Sequence, residues 1–375
     1  MTMRFTVPQK EFLAQLQKLS AVVPSKTTHP MLNNILLHVE PDEARMTATD
    51  LEISLTTRMK VEGGQGEDVA IPCKRLLEIV RELDERPVTV QTDRHNNGVE
   101  ILSGQGVFQI PCESAENFPI LPGIQVSAEL EIPAERLRQH VERLAFAVST
   151  DDLRPVLTGV LFEFRAEALF LVATDGHRLV RIQDHKLAGQ ESLGSVVIPI
   201  KALNLVARSL DSSSENVKLS LAQNHLVFSL GGAQIYTQLI NGRYPAYEGV
   251  IPLQNENILQ TARGALYRAV KQVSNCANNV TRQINFTLSE NRLVVTAEDN
   301  EYGSRGRNEL DVDYNGDALE IAFNASYLDQ MLRHLDTDQV VFKFGTAERA
   351  ALILPEINQE DEDLLMLLMP VRLMR

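Results

Sequence analysis

The chain is poor in cysteine: Cys73, Cys112 and Cys276 lie far apart in 375 residues, and no CxxC pair occurs. A disulfide framework and a zinc knuckle are thereby excluded, and a reducing compartment is implied. Long apolar runs are missing too. The greasiest stretch, Leu364-Leu365-Met366-Leu367-Leu368-Met369, is ended by Pro370 and falls far short of the roughly 20 residues that a membrane helix needs. Met1-Thr2-Met3-Arg4-Phe5 holds no apolar signal core and leads straight into structured sequence, so a soluble cytoplasmic protein is expected. Basic charge is in deficit, with 36 Lys and Arg against 50 Asp and Glu. As an average, the net charge of −14 argues against a nucleic-acid partner, but an average is silent on where the charges lie. What the chain does have is 44% hydrophobic residues, enough for several cores, and a length that suggests two to four domains.

One stretch organises the rest. Val172-Ala173-Thr174-Asp175-Gly176-His177-Arg178-Leu179-Val180 reads as a strand, an Asp-Gly turn and an alternating return strand. The same Thr/Glu-Asp hairpin occurs around Asp50 and Asp299, so the three aspartates are 125 and 124 residues apart. The chain is therefore three copies. Apolar residues at helical spacing predict six helices, at 8–22, 72–86, 133–147, 199–211, 261–276 and 324–336. Pro8 sits where a first helical turn tolerates it, Ile71-Pro72, Ile132-Pro133 and Ile198-Pro199 open helices, and Asn324 is a good N-cap. Strands are predicted at 4–7, 35–39, 88–92, 99–103, 107–111, 160–164, 217–221, 226–230, 235–240, 284–288, 340–344 and 350–354. Pro-rich Asn117-Phe118-Pro119-Ile120-Leu121-Pro122 closes the first third. Each third is itself doubled, giving six half-repeats of roughly 60 residues, an array period. The fold class is α+β, strand-heavy, with one layer of helices on the sheets. A repeat alone is also compatible with a duplicated scaffold that has no particular task.

The charge is placed unevenly. The six predicted helices hold 15 basic and 10 acidic residues, and the remainder 21 and 40. If all six share one side, that side is relatively basic and suits a phosphate backbone held without reading bases. Solvated helix faces would carry the same small excess.

The motifs are more specific than the averages. Pro30-Met31-Leu32-Asn33-Asn34-Ile35-Leu36-Leu37, Ala173-Thr174-Asp175-Gly176-His177-Arg178-Leu179, Gly242-Arg243-Tyr244-Pro245, Phe323-Asn324-Ala325-Ser326-Tyr327-Leu328 and Leu368-Met369-Pro370-Val371-Arg372-Leu373 follow in order on the threefold period. With them the whole chain resembles the bacterial DNA polymerase sliding clamp, the β subunit of the replicative polymerase III. The resemblance implies three tandem clamp domains, 1–126, 127–253 and 254–375, with helices on the inner face and sheets outside. It implies a head-to-tail homodimer, a ring of six domains around double-stranded DNA bound without sequence preference. Size agrees: six helices spaced about 9 Å apart close a circle of axes about 17 Å across, which leaves about 7 Å clear, whereas twelve leave about 24 Å, room for a duplex. The implied protein is a processivity factor without catalysis or cofactor. Its partners would be the polymerase α subunit, the clamp-loader δ subunit, and other polymerases and repair proteins with a Leu/Phe-rich clamp-binding motif.

The resemblance also implies sites. A peptide pocket between the second and third domains would use Leu157, Thr174, Gly176, His177, Arg178, Leu179, Pro245, Val250, Asn324, Tyr327, Met369, Pro370, Val371 and Arg372. Leu157, Leu179, Pro245 and Val250 would form its apolar hole, Met369 an adaptable mouth, and His177, Arg178, Asn324 and Arg372 its polar guides. Without the family, Leu157 and Leu179 read as ordinary core, Gly176 as a turn residue and His177 as a strand histidine. DNA contacts would come from Lys26 and Arg154, with Lys10, Arg138, Lys201, Arg208, Arg263 and Lys271 as inner-face cations or as solvated surface charges. The dimer edge would set Phe108 and Ile110 against Asn275 and Cys276, where Asn275 is polar for a seam. The chain departs from relatives in the Met374-Arg375 extension, in Gly249 where they can carry Arg, and in Pro155-Val156 where some have paired aromatics. Two other readings stand beside this one. Asp175 and His177 could belong to an enzyme, but no HxH, CxxC or GxSxG supplies the further partners. An acidic adaptor that binds proteins and no DNA would share the pocket.

Overall fold

The computed structural model describes residues 3–93, 98–119, 123, 125–210 and 215–372. Ile120, Leu121 and Pro122 of the connector, Asp211 at the end of the fourth expected helix, and Leu373, Met374 and Arg375 of the tail lie outside the described residues. Among the described residues six α-helices form, each inside the limits read from the sequence: α1 Gln9–Ser20, α2 Cys73–Glu82, α3 Ala134–Ala145, α4 Ile200–Ser209, α5 Arg263–Ser274 and α6 Ala325–Arg333. Their apolar stripes are buried, as with Phe12, Leu16 and Leu19 in α1 and Leu266, Val270 and Val273 in α5. None of these helices is long and apolar enough to cross a membrane.

The prolines do something different from opening a helical turn. Pro8, Pro72, Pro133 and Pro199 are each the last residue of a strand: Arg4–Pro8, Val69–Pro72, Ala128–Pro133 and Ser195–Pro199. Pro8 has φ −59° and ψ 133°, an extended residue just before the helix. A ring-fixed φ suits both strand end and helix start, and the missing N–H ends the ladder there. In the last third Ala262 and Asn324 take the place, and the Asn324 side chain accepts from the N–H groups of Ser326 and Tyr327. The first residue of each leading helix also closes the repeat. Gln9, Ala134 and Arg263 donate their backbone N–H to the carbonyls of Arg86, Glu215 and Asp338, at 3.3, 3.0 and 2.8 Å.

The chain folds into two compact units, Met1–Arg138 with Lys201–Leu239, and Gln139–Ile200 with Ile240–Arg375. Each is built on a nine-stranded antiparallel sheet. In the first, Ile53–Lys60 pairs with Ala233–Gln238, which joins five strands from residues 34–114 to Ala128–Pro133 and three strands within Asn216–Gln238. In the second, Arg178–Asp184 pairs with Glu362–Leu368 in the same way. The greasy tail stretch is thus an inner strand, flanked on its other side by Ala351–Pro355. A second sheet completes each unit: five strands ending at Gly106–Pro111 in the first, four ending at Ser304–Asp311 in the second. Both of those strands are edges. Burial pushes the Cys73 thiol up to about 12, so it is an inert core residue.

Candidate functional site

The three hairpin aspartates do one job. One carboxylate oxygen of Asp50 accepts from the N–H groups of Glu52 and Ile53 at 3.0 and 2.8 Å. Asp175 accepts from His177 and Arg178 at 2.8 and 3.0 Å, and Asp299 from Glu301 and Tyr302 at 2.9 and 3.3 Å. These are Asx turns, in which a carboxylate replaces a missing backbone acceptor. Thr49 and Thr174 lock the first two turns further, donating to the carbonyls of Ile53 and Arg178 at 3.2 and 2.6 Å. The turn then needs a positive φ, which Gly176 adopts at 90°. Asp175 is a turn-former with its oxygens engaged, not one half of a catalytic pair with His177.

At the second hairpin the chemistry gathers. Arg178 is buried, 7% exposed. Its Nε donates to Asp175 Oδ2 at 3.0 Å and its Nη1 to Gln330 Oε1. Its guanidinium lies 4.5 Å from the Tyr327 ring centroid and 5.2 Å from that of Phe146, a cation held between two aromatic faces. Burial pulls its pKa below the usual arginine range while Asp175 opposes this, and arginine stays charged regardless. The exposed His177 ring stacks on Tyr327 at 6.1 Å. Tyr327 is presented by the first turn of α6, which Asn324 caps. The C-terminal segment is pinned alongside. Met369 donates its N–H to the carbonyl of His177 at 2.9 Å, and Val371 to that of Ala322 at 2.9 Å. Below, Leu157 and Leu179 belong to an apolar cluster with Val172, Tyr244, Tyr247 and Leu367.

The sequence-predicted pocket residues therefore fall into three groups. Thr174, Gly176, His177, Arg178, Asn324, Tyr327, Met369, Pro370 and Val371 are tied to one another through the hairpin, the cap of α6 and the two tail bonds. Leu157 and Leu179 are buried floor, at 7% and 2% exposure. Val250, at 56%, Pro245 and Arg372 are exposed, as is Met369 of the first group, at 40%. Sequence reading missed Phe146, Gln330 and Asp175 as the supports of Arg178. It also missed a buried ionic network: His140 Nε2 lies 3.0 Å from Glu362 and 3.5 Å from Asp184, and Arg143 donates to Glu362 and Asp336. A comparison of the thirds would have flagged Phe146, because the position 125 residues earlier is Ala21.

The proposed DNA-facing cations differ among themselves. Lys10, Arg138, Arg154 and Lys201 are paired with Glu85, Glu135, Asp151 and Asp50. Lys26, Arg208 and Lys271 are exposed. Arg263 is half-buried and donates to the carbonyls of Thr337 and Leu332 at 2.8 and 3.2 Å, beyond and at the end of α6. It is a tether between α5 and α6, not a free surface cation. Of the expected seam residues, Phe108 is 39% exposed on its edge strand whereas Ile110 is 5% exposed. Cys276 lies against the other edge strand, its Sγ 3.1 Å from where a Cβ on Gly306 would stand.

Against known proteins, residues 3–122, 131–246 and 248–372 match the family models of the DNA polymerase III beta subunit N-terminal, central and C-terminal domains. The beta sliding clamp of Haemophilus influenzae is 31% identical over 373 residues, 99% of this chain and 100% of that one. The chain belongs to the beta sliding clamp family. The Vibrio cholerae clamp is 29% identical over the same coverage. Crystal structures of the DnaN sliding clamps of Bartonella birtlesii and Pseudomonas aeruginosa, both bound to griselimycin, superpose with TM-scores of 0.94 and 0.93 at 31% and 29% identity, covering 100% of each chain. The chain is a DNA sliding clamp, a non-catalytic processivity subunit with three clamp domains.

Proposed function

We propose that this clamp works as a head-to-tail homodimer that encloses double-stranded DNA, and that it tethers partners through the pocket around Arg178. The domains are 1–126, 127–253 and 254–375. Two edges support the dimer: Gly106–Pro111, with Val107 and Phe108 exposed, and Ser304–Asp311 each end a sheet without a neighbour among the described residues. Distinct edges that join in trans give a closed ring when the rotation allows. Phe108 and Ile110 meet the strand backed by Asn275 and Cys276. Lys26, Arg208 and Lys271, with Lys10, Arg138, Arg154 and Lys201 once released from weak surface pairs, hold the phosphate backbone.

The observation that carries the pocket is the buried Arg178 between Tyr327 and Phe146, beside a pinned tail. Leu157, Thr174, Gly176, His177, Leu179, Pro245, Val250, Asn324, Met369, Pro370, Val371 and Arg372 surround it. An apolar peptide with Leu and Phe side chains covers the exposed Val250 and Met369 and leaves the guanidinium to orient its polar backbone. Partners are the polymerase α subunit, the clamp-loader δ subunit and other polymerases and repair proteins that carry such a segment. The test is retention on nicked circular DNA after loader-assisted assembly. Retention that survives on circles and vanishes on linearisation is the expected outcome, and equal retention on both forms overturns enclosure.

A further inference from the structure

A second cleft lies in the first unit. There, Asn34–Val39, Glu43–Thr49 and Ile53–Lys60 are neighbouring strands of the nine-stranded sheet. On one face the register aligns His38 with Arg45 and Arg45 with Arg58. The next row aligns Thr47 with Thr56 and Thr56 with Gln234. These side chains line a cleft, closed on one side by Phe118 and Pro119. Two arginines directly opposite each other on adjacent strands repel, which makes the pair destabilising when nothing sits between them.

Local acids offset this only in part, through a long Glu43–Arg58 ion pair and Asp68 in the cleft lining. Glu43 stands 3.9 Å from Arg58, beyond hydrogen-bonding distance. Asp68 and Glu40 face His38, at 2.6 and 3.4 Å. The Arg45 Nε is buried and has no hydrogen-bond partner, and an orphaned buried donor of a charged group is costly. Beside it the buried hydroxyls of Thr47 and Thr56 bond each other at 3.0 Å. That bond uses one of their two hydroxyl hydrogens and leaves the other to donate.

The repeat does not demand this arrangement. At a shift of 125 residues, His38, Arg45 and Thr47 correspond to Glu163, Phe170 and Val172. In the second unit that row holds an aromatic ring with Arg165 over it at 4.2 Å, and Val172 lies in the apolar cluster. Arg45 and Arg58 therefore face each other in the first unit, where the second sets Phe170 against Gln183.

We propose that the cleft binds a phosphate monoester or free phosphate, with the dianion between Arg45 and Arg58 and a threonine hydroxyl as a further donor. Two guanidiniums match two negative charges, whereas a carboxylate brings one. The site is independent of the peptide pocket and of DNA enclosure.

Calorimetric titration of the full-length protein with inorganic phosphate, at ionic strength held constant with chloride, tests it. One saturable site per chain is expected, weakened at least tenfold by Arg45→Gln and by Arg58→Gln and unchanged by Arg181→Gln in the second unit. Phosphoserine in a parallel titration distinguishes the source: tighter binding than the free ion assigns a phosphorylated segment, and weaker binding assigns phosphate itself. Absence of saturable binding, or variants that bind as the parent does, overturns the site. Glutamate binding as tightly as phosphate overturns the dianion. Should Arg45→Gln fail to fold, the exposed Arg58 still decides.

Discussion

The hairpin at Asp50 and the hairpin at Asp175 share a place in the repeat and a turn geometry, yet their surroundings differ at four positions. A shift of 125 residues takes Ile53 to Arg178, Ala202 to Tyr327, Leu205 to Gln330 and Ala21 to Phe146. In the first unit Ile53, Ala202 and Leu205 are buried aliphatic residues at 2%, 0% and 7% exposure. In the second, a cation lies between two rings with an amide and a carboxylate as partners. The scaffold is common to both, and a handful of side chains sets the proposed docking site apart from its counterpart. This is how a duplicated fold acquires a function in one copy without loss of the frame.

The comparison can be broken most directly by giving the second hairpin the first one's residue. Arg178→Ile should cost about 2–4 kcal/mol of affinity for a Leu/Phe-rich clamp-binding peptide, roughly 30- to 1,000-fold. Fluorescence anisotropy reads this, and an unchanged affinity would remove Arg178 from the pocket. Next come the turns themselves. Asp50→Ala, Asp175→Ala and Asp299→Ala should each lower stability in urea by about 1–3 kcal/mol. Asp175→Ala should be the most damaging of the three, because it also strips buried Arg178 of its carboxylate. Equal losses would mean that Arg178 does not lean on that carboxylate.

A smaller effect separates the turn tips. Leu51 adopts φ 80° where Gly176 adopts 90°, and a left-handed leucine is strained. Leu51→Gly should therefore stabilise the protein by a few tenths to about 1 kcal/mol, whereas Gly176→Leu should destabilise it by about 1–2 kcal/mol. Thermal unfolding of both variants checks the pair of signs. The smallest effect is a pH dependence. The bond to Asp363, followed by that to the Glu167 carbonyl, raises the His185 pKa above its ordinary value. A raised folded-state pKa adds stability that is full below about pH 6.5 and fades as pH climbs through the folded value. His185→Gln should thus cost a few tenths of a kcal/mol at about pH 5.5 and progressively less as pH rises through the folded value, the pair being solvent-screened. A cost that grew with pH would reverse the assignment.

Much of the frame was legible because helices and hairpins announce themselves locally. The stripes of α1 to α6 and the three Thr/Glu-Asp turns are contained in short windows of sequence. Glu362–Leu368 was not legible as an inner strand, since its continuous apolar run has no alternation and local periodicity cannot assign it. The pairing of Ile53–Lys60 with Ala233–Gln238 was invisible for another reason: no local pattern encodes a partner so distant. At the site, the hairpin, Asn324 and Tyr327 were named through family motifs, while Phe146 and Gln330 carry no motif and act through proximity alone. Arg263 looked like any other helix cation until its carbonyl partners came into view.

The two long sheets bear on how the molecule can be divided. A fragment cut at the family-model limits, 131–246, would keep Arg178–Asp184 and Ala233–Gln238 but lose one of the two strands that pair with each. Each would then expose a ladder of N–H and C=O groups along one side, of the kind that recruits other chains. The middle of this protein is thus kept soluble by its two ends, and any attempt to produce it alone should yield aggregate before it yields a domain.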